Sequence, residues 1–74
     1  MDNEIRKIVQ KNLKKYREEK GFTQTDLAIK IGSNKTTVAS WEQGKSVPSI
    51  DMAYRIMNIY GLSINLLFNE EGDN

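Results

Sequence analysis

Few residues in this chain could do covalent chemistry. Its 74 residues contain no histidine and no cysteine, so the side chains most often used as a proton shuttle or a soft nucleophile near neutral pH are missing. No glycine-rich phosphate loop and no clustered carboxylate pair stands in for them. This argues against an enzyme, against a zinc site and against any bound cofactor. A different kind of chemistry is concentrated between Gly32 and Gly44, in GSNKTTVASWEQG. Asn34, Lys35, Thr36, Thr37 and Ser40 are small or polar, and most can hydrogen-bond. Val38 and Trp41 are the only large apolar residues there. A helix so lightly anchored is better suited to presenting donors and acceptors than to filling a core.

The flanking residues must position that segment. Ile5, Ile8, Val9, Leu13 and Tyr16 recur at three- and four-residue spacing and predict a helix over residues 4–19. Gly21 stops it. Thr23 with Asp26 three residues on is a capping-box pattern, and Phe22 with Leu27 can form a hydrophobic staple across the same helix start. Leu27, Ala28 and Ile31 give that short helix its inner face, and Gly32 ends it. Ser33 or Asn34 caps the next helix, which runs to about Gln43. KSVPS follows as a loop, with Pro48 disfavouring helix on its N-terminal side. Ser49 caps a fourth helix with Ala53, Ile56, Met57 and Tyr60 on its apolar side. Gly61 ends it, and Ser63 caps a fifth. Leu62 and Leu67 hold staple positions there, and Phe68 is expected to close the core. The expected architecture is all-α, a compact bundle of five short helices over residues 1–69, with 70–74 as a frayed acidic tail.

The bulk composition is consistent with that scheme. A chain this short holds one small domain. No apolar run approaches the roughly 20 residues needed to cross a bilayer, and MDNEIRKIVQ does not read as a secretory signal. A soluble cytoplasmic protein is expected. Net charge is +1, but residues 1–48 carry ten Lys/Arg against six Asp/Glu, whereas residues 49–74 carry one Arg against four acids. Such asymmetry is compatible with a polyanionic partner on one side, or with a solvated first helix.

Two short helices joined through Gly32 and Ser33 form a helix-turn-helix signature. The run FTQTDLAIKIGSNKTTVASWEQGKSVPS resembles the phage-repressor/Cro type, the XRE family of prokaryotes and phages, and the resemblance covers roughly residues 10–68. It rests on Gln24 opening the first helix of the pair, Ala28 facing the second, Gly32 in the turn, Trp41-Glu42-x-Gly44 closing the second, and Pro48-Ser49. It implies a lambda-repressor-like fold and a transcription regulator, expected to be a repressor, that binds double-stranded DNA. The second helix of such a pair enters the major groove. A groove about 12 Å wide accepts a helix whose leading face is slim and polar.

By this resemblance Lys35, Thr36 and Ser40 read base edges, with Thr37 beside them. Lys35 can equally contact phosphate, Thr37 can cap the helix, and Ser40 can simply be tolerated on an exposed face. Gln24 matches a phosphate-binding position at a helix start, where free N–H groups and the dipole favour an anion. Thr23 and Asn34 can join it while capping their helices. Lys45 and Ser46 fall in a loop that runs along the DNA backbone in the family, although Lys45 can also be a solvated surface lysine. Arg17 and Glu42 match an ion pair that fixes the recognition helix against the first. Ala28 is small where two helices approach, and Trp41 is mainly core.

The resemblance also implies a partner copy. A homodimer, at least on DNA, with recognition helices one turn or about 34 Å apart would bind a near-palindromic operator. Relatives pair through the region matching Tyr60–Asn69, which makes Tyr60, Leu62, Ile64 and Leu66 the candidate dimer interface. No membrane contact and no small-molecule ligand is expected. The alternative function is an antitoxin or protein-interaction module built on the same fold.

Overall fold

The computed structural model describes residues 2–70, with side chains from residue 4 onward. Four helices, α1 (Asp2–Glu19), α2 (Gln24–Ile31), α3 (Lys35–Glu42) and α4 (Ile50–Tyr60), are followed by a 3-10 segment at Ile64–Phe68. The first helix begins two residues earlier than its apolar stripe predicts. The fifth helix is 3-10 rather than α. Ser63 caps it by accepting from the Asn65 N–H, and the Leu66 N–H reaches back to the Ser63 carbonyl, the tighter three-residue spacing of a short closing turn. Residues 71–74 of the expected tail lie outside the described residues.

Local sequence signals account for the helix ends. Thr23 accepts from the Asp26 N–H at 3.0 Å while Asp26 accepts from the Thr23 N–H at 2.9 Å, a complete capping box. Asn34 and Ser49 cap α3 and α4 in the same side-chain-to-N3 manner. At the other end of α2, Gly32 adopts φ 71°, and Ser33 donates back to the Ala28 carbonyl at 2.8 Å. This left-handed residue turns the chain sharply enough for α3 to start soon after α2 ends.

The core is continuous. Leu13, Leu27, Ile31, Val38, Ile56, Met57 and Leu67 are its most deeply buried large side chains. Trp41 and Ala28 lie with them, as their spacing predicts. Four apolar expectations need correction. Ile5 is 48% exposed and Phe68 41% exposed, so Phe68 does not close the core; Leu67 does. Tyr60 is buried, with its ring 6.0 Å from that of Phe22, and offers no surface to a partner. Leu62, Ile64 and Leu66 are partly buried against the core rather than forming an exposed patch. For the last segment the reason is its 3-10 geometry, whose three-residue turn rotates side chains away from the faces an α-helix would give them.

A buried polar anchor fixes this segment. Asn12 is 3% exposed. Its Nδ2 donates to the carbonyls of Leu67 at 2.9 Å, Leu66 at 3.1 Å and Asn69 at 3.2 Å. These carbonyls end a helical segment and need donors. Asn12 lies three residues from Val9 and four from Tyr16, on the apolar stripe itself, so a signal is present in the sequence as a polar residue at core spacing. Arg55, also unanticipated, donates to the Ile31 carbonyl at the end of α2, at 3.2 Å.

Candidate nucleic-acid interface

The end of α3 is locked to α1 and α2 by one carboxylate. Glu42 has a side chain only 4% exposed. Its Oε2 accepts from Arg17 Nε at 2.6 Å and its Oε1 from Arg17 Nη2 at 3.0 Å. The two-pronged geometry is the strong form of this contact. Arg17 also donates through Nη1 to the Phe22 carbonyl at 2.6 Å, tying the pair to the α1–α2 turn. Hydrogen bonding to Glu42 holds the guanidinium pKa above its usual value, against the opposing effect of burial. The expected contact between Arg17 and Glu42 is therefore present. Gln24 joins it, because its Nε2 donates to Glu42 Oε1 at 3.1 Å. That bond leaves the amide one further N–H and its carbonyl oxygen.

The opposite, outward side of α3 is open. Lys35, Thr36, Ala39, Ser40, Gln43 and Lys45 line a single shallow depression. Lys35, Thr36 and Lys45 are exposed and Ser40 is half-buried. The structure thus brings three of the expected base-reading residues together with one expected phosphate contact. It adds Gln43, whose place in the sequence marks only a helix end. Ser46 is drawn in from the loop, since its Oγ lies 2.8 Å from Ser40 Oγ.

Thr37 stands apart from this group. Its N–H and its hydroxyl both donate to Asn34 Oδ1, at 2.9 and 3.1 Å. Its hydroxyl proton is committed to the helix cap, the role its N3 position offers. Thr23 is likewise committed through the capping box at the start of α2. Asn34, Thr23 and Asp26 belong to helix starts whose capping bonds are exposed to solvent. Hydrogen bonding from Thr23, its backbone N–H first, depresses the Asp26 pKa below the ordinary carboxylate value. Among the described residues no group of His, Cys, Asp and Glu is placed to hold a metal ion, and no helix is long and apolar enough to cross a membrane.

Two adjoining short helices, the second exposing its polar side and pinned by its last residue, define a helix-turn-helix protein. A helix-turn-helix family model matches residues 13–67, and the chain belongs to this family, in its XRE branch. It is 39% identical to an uncharacterized HTH-type transcriptional regulator of Methanocaldococcus jannaschii, over 82% of this chain and 92% of the relative. It is 30% identical to the HTH-type transcriptional regulator SinR of Bacillus licheniformis, over 89% of this chain and 60% of the relative. Human endothelial differentiation-related factor 1 is 33% identical over 82% of this chain, which spans 38% of that protein. No solved structure matches the chain closely enough to count as similar.

Proposed function

We propose that this protein is a transcription regulator that binds double-stranded DNA and acts as a repressor by occupying an operator. The observation that carries this reading is the depression on α3. There Lys35, Thr36 and Ser40 lie beside Lys45 on the open side, while Val38 and Trp41 anchor the far side of the same helix in the core. Family membership and the names of the relatives support it. In this reading α3 lies in the major groove, with Lys35, Thr36 and Ser40 at base edges. Gln24, Lys45 and Ser46 meet phosphates, which position the protein without reading sequence. Thr23, Asn34 and Thr37 serve the helix starts, whose remaining N–H groups can meet phosphate. Residues 1–69 act as one binding unit.

A symmetric dimer on a near-palindromic site supplies the affinity one small unit lacks. Since Tyr60 is buried, the pairing surface shifts to Ile64 with the exposed Ile50 and Tyr54, which share one surface depression.

The test is selection from a random double-stranded DNA pool at two salt concentrations. Enrichment of a near-palindromic motif with half-sites one turn apart is the expected result. Retention without sequence preference that vanishes with salt would reduce the reading to backbone contact. No retention at low salt would refute it and direct attention to a protein partner.

A further inference from the structure

We propose that Ser40 selects an amino-bearing base, adenine or cytosine, on the strand it faces, because its hydroxyl proton is claimed by Ser46. The proposal rests on the DNA-binding reading above and specifies how one of its contacts discriminates.

Ser40 lies on the outward side of α3 and Ser46 in the loop that follows. Their Oγ atoms are 2.8 Å apart, and in the free protein either can be the donor. The pair holds two protons. One sits between the oxygens, and the other, on whichever hydroxyl is accepting, is free to point elsewhere. A phosphate diester oxygen is an acceptor only. When Ser46 meets the DNA backbone its own proton goes to phosphate, so the bond between the two serines survives only with Ser40 donating. Ser40 Oγ then has lone pairs and no proton to offer the groove.

Adenine N6 and cytosine N4 carry the amino donors of the major groove, whereas guanine presents O6 and N7 and thymine O4, all acceptors. A serine reading alone has no such preference, because its hydroxyl can donate or accept. Here a contact outside the base pairs sets the polarity of a contact within them.

The experiment is the same selection run with wild-type protein, Ser40→Ala and Ser46→Ala, each first checked for folding by thermal melt. The base-pair position whose preference Ser40→Ala abolishes is the one Ser40 reads. At that position the wild type is expected to favour adenine or cytosine on one strand by about fivefold or more, the worth of roughly one hydrogen bond. In Ser46→Ala, Ser40 regains its proton, and the position should broaden to admit guanine and thymine. Because every base pair carries one amino base and one keto base, a wild-type position that accepts a pair in either orientation, A·T with T·A or C·G with G·C, overturns the proposal. So does an amino preference unchanged in Ser46→Ala, or a Ser40→Ala motif identical to wild type. Ser40→Cys and Ser46→Cys, which nearly keep the side-chain volume but hydrogen-bond only weakly, give the same readouts if an alanine variant folds poorly. Failure of the wild type to retain any DNA would instead refute DNA binding itself, so the two failures are distinguishable.

Discussion

At the scale of single residues, Glu42 has the largest consequence. It serves three donors at once from a nearly water-free position. Replacing it with alanine leaves the buried Arg17 guanidinium with the Phe22 carbonyl as its one short intramolecular hydrogen bond. Removal of one partner from a buried pair costs about 3–5 kcal/mol, a large part of the stability of a small domain. Glu42→Ala should therefore melt at markedly lower temperature. Replacing Arg17 and Glu42 together by apolar residues of similar volume should cost much less, because no charge is then left stranded. Equal destabilisation of the two variants would count against a stranded charge as the cause. The pairing was legible in the sequence through the family resemblance. The third donor was not, because Gln24 and Glu42 lie 18 residues apart and meet only when both helices are packed. The Ser40–Ser46 contact was hidden similarly, since it depends on how the loop after Gly44 folds back. Gly44 adopts φ 78°, with a would-be Cβ 2.5 Å from Gln10 Oε1.

At the scale of elements, helix boundaries were the most readable feature, because capping is local chemistry. Thr23–Asp26, Asn34 and Ser49 all cap as their residue types imply. The capping box also carries a pH signature. The Asp26 pKa is depressed in the folded state, so its contribution is fully present above the unfolded carboxylate value of about 4 and is lost as pH falls through the lower folded value. Asp26→Asn should be less stable than wild type at neutral pH, and the gap should narrow in acid. A stability difference that stays constant from about pH 7 to about pH 2, across that carboxylate range, would count against the box. Because Asp26 is exposed, the effect should be small and weakened by salt. The fifth element was the least readable. A five-residue segment is too short for periodicity to separate α from 3-10 geometry, and the anchor that fixes it, Asn12, lies 55 residues before Leu67.

At the scale of the whole molecule, charge is unevenly divided, and ten of the eleven basic residues precede Ser49. Overall charge is close to neutral, so attraction to DNA has to come from local placement rather than bulk charge. Removing one phosphate-binding side chain should make the logarithmic dependence of affinity on salt shallower by about one unit. Lys45→Ala should show this shallower slope with its motif preserved. Lys35→Ala should alter the motif if that lysine reads a base, and only the slope if it touches phosphate. Titration at several salt concentrations separates the two. The core as a whole was visible as helical periodicity. The exposure of Phe68 was not, since it depends on how the last segment is seated.

That seating also determines how the molecule bears load. The amide of Asn12 grips the backbone at Leu66, Leu67 and Asn69 from the middle of α1. Tension applied beyond Asn69 therefore reaches the longest helix through that amide as well as through Leu67 in the core, as a rope made fast to a cleat.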